Sequence, residues 1–176
     1  MQAPVEVLDV VDDHDEVIGR TTRHEIHERG LKHRAVHVLL FNLRDELFVQ
    51  RRAATKDTFP RRYDSSASGH LDSGENYDAC AVRELREELG LEVHPQELVK
   101  QFKLDACQET GWEFVWVYTL RGEFTPRINP AEIEAGEFWD LARVRATIAS
   151  HPNQCAPSFC SVFRELDGRG LESPAS

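Results

Sequence analysis

Three carboxylates, Glu84, Glu87 and Glu88, stand at spacings i, i+3 and i+4 inside a segment whose apolar residues recur with a helical period. From Asn76 to Leu89, Val82, Leu85 and Leu89 share one face, and Gly90 stands where a helix C-cap is expected. The spacing therefore predicts an amphipathic helix with three carboxylates on one face, roughly opposite its apolar stripe. Carboxylates at such distances repel, and the repulsion is relieved if they share hard divalent cations that prefer oxygen ligands, Mg²⁺ or Mn²⁺. Charge pattern alone also fits a solvated acidic face paired with Arg83 and Arg86. The preceding loop favours the cation: Gly69 and Gly74 bracket it, and glycine there permits close backbone approach to a ligand or an unusual turn.

The remaining pattern mixes strands and helices. EVLDVVD and VIGRTTR flank the acidic turn DHDE and read as a hairpin. A short helix over 24–29 closes at Gly30, and VHVLLFN with ELFVQRR reads as a second hairpin entering the core. Further strands are expected at 63–67, in LVKQFKLDA and WEFVWVYTLRGE, and in GEFWD, followed by helices near 142–150 and 157–166. This order predicts an α/β fold: an α/β/α sandwich, with helices on both faces of a mixed central sheet. One domain over 1–176 is expected, with a frayed tail at about 170–176.

Composition narrows the function. The net charge of −10 argues against nucleic-acid backbones and anionic membranes as partners, so an anionic substrate would be met through metal or local basic residues. No apolar run is long enough to cross a bilayer, and the N-terminus has no basic n-region or apolar h-region, which predicts a cytoplasmic protein. Cys80, Cys107, Cys155 and Cys160 form no zinc-type spacing and read as free thiols.

GHLDSGENYDACAVRELREELGL, residues 69–91, resembles the Nudix box at every defined position, namely Gly69, Glu75, Arg83, Glu84, Leu85, Glu87, Glu88, Gly90 and Leu91. With average residue usage such a match arises by chance on the order of once per billion start positions. The resemblance implies a metal-dependent hydrolase of a diphosphate linkage in a small phosphorylated molecule. Glu84 and Glu88 would be the principal metal ligands, and Glu87 a ligand or the group that activates water. Glu84 and Glu87 would be the catalytic residues, while Glu75 would support Arg83 or the helix start. Gly69, Gly74 and Gly90 would be structural.

KHRAVHVLLFN, QRRAATKDTFP and SGHLDSGE further resemble the isopentenyl-diphosphate isomerase-like branch of that superfamily. That resemblance implies a second metal site at His33, His70 and Glu113. It also implies that Arg52 and Lys56 contact diphosphate. His24 and His27 lie near the remaining ligand of the family, but neither aligns with it. The branch's isomerases carry a catalytic cysteine where Ser68 stands, and a hydroxyl does not readily replace that thiol in proton transfer. Hydrolysis is therefore expected, ahead of a non-catalytic binding module and of isomerisation. Nucleoside, dinucleotide, sugar and prenyl diphosphates all remain candidate substrates, and a homodimer is the default assembly.

Overall fold

The computed structural model describes residues 5–170. Strands β1 (Val7–Val11) and β2 (Val17–Thr22) form a two-stranded antiparallel sheet, and α1 (Arg23–Arg29) follows at once. Thr22 caps α1 by accepting from Glu25 N–H, and Gly30 closes it in the left-handed conformation at φ 60°. The main sheet contains β3 (His33–Phe41), β4 (Leu47–Arg52), β5 (Tyr63–Asp64), β6 (Ala67–His70), β7 (Val99–Leu104), β8 (Glu113–Arg121) and β9 (Ile133–Trp139). Helices α2 (Tyr77–Leu89), α3 (Leu141–Ser150) and α4 (Pro157–Arg169) complete the chain.

β3 is the spine. It runs parallel to β8 over its whole length, from His33↔Glu113 to Phe41↔Arg121, while β7 extends the sheet antiparallel beyond β8. The strand is buried along nearly its whole length on both faces, as a central strand covered by helices is. Val36, Val38 and Leu40 pack with Leu85 and Leu89 of α2; Ala35, Leu39 and Phe41 pack under α3 and α4. The sheet is mixed and carries helices on both faces, an α/β/α sandwich. Each buried leucine of α2 contributes roughly 1.5–3 kcal/mol by leaving water.

One local expectation is narrowed and another corrected. The second hairpin is present but short: the turn closed by Asn42 N–H donating to Glu46 O sets β3 antiparallel to β4 at Phe41↔Leu47, and the strands then part because β6 takes the other half of β3, from Ala35↔His70 to Val38↔Ala67. The segment expected as one strand at 63–67 is two, since β5 pairs with β4 and β6 with β3. Ser65 and Ser66 make the step between them, fully buried, with Ser66 Oγ donating to Phe48 O at 2.6 Å. No helix among the described residues is long and apolar enough to cross a membrane. Most of the tail at 170–176 lies outside the described residues.

Candidate active site

Asn76 starts α2 by accepting from Ala79 N–H, and Gly90 ends it at φ 62°, where an L side chain would be strained. Between these caps the acidic residues divide. Glu84 and Glu88, one turn apart, turn inward at 8% and 6% exposure, beside Leu85 and Leu89 rather than opposite them. Glu87 stays at the surface, and Val82 is only partly buried. The expectation of three equivalent carboxylates opposite the apolar stripe is corrected accordingly. A helix lying over a sheet buries a broad arc, and this arc includes 84 and 88 as well as 85 and 89.

Arg83 organises the segment. Its Nε and Nη2 donate to the two carboxylate oxygens of Glu75 at 2.9 and 2.8 Å, and its Nη1 reaches Glu84 at 2.7 Å and Glu87 at 3.1 Å. Nη2 also donates to His70 O at 2.9 Å, which ties α2 to the end of β6. Gly74 N–H donates to Asp9 at 2.9 Å, anchoring the loop on β1. Gly69 has a different role: a Cβ there would fall on the Glu84 carboxylate.

Burial pushes the Glu84 pKa up to about 7 against the pull of Arg83. Glu88 is raised well above the carboxylate range, first by burial and then by the charge of Glu84, and Gln50 Nε2 donates to it at 2.8 Å. Glu75 shows the opposite balance, because Arg83 outweighs its burial and holds it low.

Glu84, Glu87 and Glu88 line a cleft of about 980 Å³. Arg52, Lys56, Ser68, His70 and Glu113 line it too, so the structure gathers the acidic helix and the basic candidates around one space. Arg52 is already engaged, donating to Asp64 at 2.8 Å and to Thr58 O at 3.2 Å, and Lys56 pairs with Glu132.

At one end of the cleft the parallel register sets His33 beside Glu113. His70 Nε2 lies 3.0 Å from Glu113 Oε1, and His33 Nε2 3.5 Å from the same oxygen. His27, which sequence reasoning left out, joins them from α1: its ring centroid lies 5.1 Å from that of His33 and 5.2 Å from that of His70. One ligand atom from each of the three histidines falls within 4.8 Å of the others, a spacing that could hold a metal ion. Burial, then His70 and His33, lower the His27 pKa to about 4. His70 is raised to about 9, because Glu113 and Glu6 overcome its burial. Glu113 is driven far below the carboxylate range by His33 and His70 in spite of its burial. His33 Nδ1 is satisfied by Leu31 O at 2.9 Å, yet Nε2, despite its 3.5 Å approach to Glu113, is buried without a hydrogen bond among the described residues. A signal for His27 existed in the sequence: Gly30 ends α1 and turns the chain back into β3, folding position 27 towards 33.

Both the sandwich and the carboxylate-lined cleft under its loop–helix unit define the class of protein that the box sequence suggested. The NUDIX domain model matches residues 31–159, and the chain belongs to that family. It is 38% identical over 179 residues to an uncharacterized Nudix hydrolase of Streptomyces coelicolor, covering 100% of this chain and 97% of that protein. It is also 31% identical over 170 residues to a Photorhabdus laumondii protein named isopentenyl-diphosphate Delta-isomerase 2, covering 95% and 96%. A crystal structure of a Deinococcus radiodurans protein superposes with a TM-score of 0.79 at 32% identity, covering 91% of this chain and 98% of that one.

Proposed function

We propose that this Nudix-family protein is a divalent-metal-dependent hydrolase that cleaves a diphosphate linkage in a small phosphorylated metabolite, using Mg²⁺ or Mn²⁺. The observation that carries the reading is the buried pair Glu84 and Glu88 on the cleft wall. Among the described residues, Arg83 is the only cationic group bonded to Glu84, and Glu88 is bonded only to the neutral Gln50. Two adjacent carboxylates taken out of water are costly. A hard divalent ion offsets that cost, which fits an all-oxygen donor set.

In this reading Glu84 and Glu88 are the principal ligands. Glu87, exposed and steered by Arg83, completes the set or takes a proton from the attacking water. The ion, when bound, neutralises diphosphate charge and acts as a Lewis acid. Lys56 and Arg52 meet the phosphates, Arg52 while still braced by Asp64. Gly69 lets Glu84 descend, Glu75 aims Arg83, and Gly74 and Gly90 set the loop and the helix end.

A second cation is proposed at His33, His70 and Glu113, with His27 added. Orphaned His33 Nε2 supports it, because buried polar atoms without partners are rare. Among relatives named as isomerases the reaction is different, but Ser68 on the cleft offers only a weakly acidic hydroxyl where a thiol would be needed. We read the whole chain as one domain that acts in the cytoplasm on a small diphosphate, without membrane or nucleic-acid partners, and with a homodimer as its default assembly.

The test is a panel of nucleoside, dinucleotide, sugar and prenyl diphosphates with Mg²⁺, Mn²⁺ or EDTA, assayed for the cleavage products: orthophosphate where the diphosphate is terminal, two phosphomonoesters where it is internal. Turnover of at least one compound, abolished by EDTA and restored by either ion, is expected. Undiminished turnover in chelator, or allylic product from isopentenyl diphosphate with no hydrolysis of any compound, would overturn the reading.

A further inference from the structure

His37 takes no part in the site described so far. It lies on the same face of β3 as His33 and Ala35, is 3% exposed, and lines the cleft with Arg52 and Asp64. Its Nδ1 stands 2.7 Å from Ser65 Oγ. Ser65 is fully buried, and His37 Nδ1 is the only partner of its hydroxyl among the described residues. The proton of a buried hydroxyl needs an acceptor. Ser65 Oγ–H therefore donates to Nδ1, which must be the lone-pair nitrogen, and the ring proton sits on Nε2. That second nitrogen has no protein partner among the described residues, and it is not sealed from solvent as His33 Nε2 is, so it opens on the cleft. Burial holds the His37 pKa below its usual value; Arg52 and His70 add to this, while Asp64 and Glu113 oppose it.

We propose that His37, in its Nε2–H form, contacts the substrate as a neutral hydrogen-bond donor to a non-bridging oxygen of the diphosphate, and that Ser65 is the positioning residue that fixes the tautomer. This rests on the diphosphate-hydrolase reading of the cleft and adds to it a specific contact. A neutral donor suits this place. It directs a phosphate oxygen without adding positive charge that would compete with the cation for Glu84 and Glu88.

The experiment uses the full chain labelled with ¹⁵N-histidine and the non-hydrolysable probe methylenediphosphonate with Mg²⁺. Long-range ¹⁵N–¹H spectra of the wild type should show His37 as the Nε2–H tautomer, and saturating probe should move its Nε2 and Nε2–H signals. His37→Leu should weaken probe binding about tenfold to a hundredfold, the range for a hydrogen bond to a charged group. His37→Gln, which restores an N–H donor, should stay within about threefold of wild type. Ser65→Ala should mix the tautomers and weaken binding severalfold, a spectroscopic change that a purely packing role would not produce. An Nδ1–H tautomer in the wild type overturns the inference. So does an unmoved His37 while the probe binds and shifts other cleft residues, and that result leaves the hydrolase reading standing. If the probe does not bind the wild type at all, the diphosphate reading itself fails and the inference goes with it.

Discussion

The carboxylate of Glu84 fills the space in which a Cβ on residue 69 would stand. β6 and α2 are therefore matched through a missing side chain, and Gly69→Ala would push away the far end of a flexible glutamate, not the backbone. The expected outcome is a melting temperature in EDTA close to wild type, with Mg²⁺ affinity lowered about tenfold or more, as for other groups that orient a ligand. Calorimetric titration beside thermal melts checks both halves. Unaltered Mg²⁺ affinity would remove Glu84 from the proposed ligand set.

Glu88→Gln and Leu85→Ala should act in opposite ways, although their side chains are neighbours on one helix. Glutamine can still accept from Gln50 and no longer repels Glu84, so stability in EDTA should hold or rise. Hydrolysis should drop by roughly a hundredfold or more, as for loss of a ligand or general base. Leu85→Ala opens a cavity in a fully buried cluster and should cost about 2–5 kcal/mol. Paired melts and initial rates distinguish them, and near-wild-type activity in Glu88→Gln would leave α2 a structural helix only.

The raised Glu84 pKa makes a signed prediction for the metal-free protein. With about 7 in the folded state and 4.5 unfolded, the folded state binds the proton more tightly, so stability from this group is present below pH 4.5 and is lost as pH rises to about 7. The loss is at most about 3 kcal/mol, from roughly 1.36 kcal/mol per pKa unit. Melts in EDTA from pH 5 to pH 8 should therefore slope downward, and Glu84→Gln should make the slope shallower, leaving the part that the raised Glu88 and His70 contribute. Mg²⁺ affinity should rise over the same range, since the ion displaces the proton. A slope unaltered by Glu84→Gln would assign the effect to another group.

The two basic candidates for phosphate binding should separate in a stability assay. Removing Arg52 leaves Asp64, buried at 2% exposure, without its cation, and should cost about 3–5 kcal/mol. Lys56 is paired with the more exposed Glu132, so Lys56→Ala should barely move the melt while raising KM about tenfold. A Lys56→Ala enzyme with unaltered KM would exclude the side chain from substrate binding.

His27→Ala should selectively remove the proposed second cation. Titration with Mn²⁺ followed by electron paramagnetic resonance should show the loss of one class of bound ion, with binding at the acidic helix retained. Identical titrations for variant and wild type would show that the histidine cluster holds no Mn²⁺.

What the sequence determined on its own is local. The C-cap of α2 at Gly90, the first hairpin, and the acidic spacing of 84, 87 and 88 can all be read from neighbours a few residues apart, because helix and strand periods are set by the nearby backbone. The box also carries the family, since its residues lie in one continuous stretch. Tertiary structure decided the rest. Glu84 and Glu88 are buried, and Glu87 is not, because Gly69 and Gln50 arrive from other strands of the sheet. β3 leaves β4 for β6 because the pairing partners of a central strand are chosen by competition across the whole sheet. His27, His33 and His70 meet only after α1 folds back on β3 and β6 comes alongside, and Ser65 reaches His37 across 28 residues of chain. Such contacts are set by which faces the core buries together, and no periodicity along a single segment records that choice.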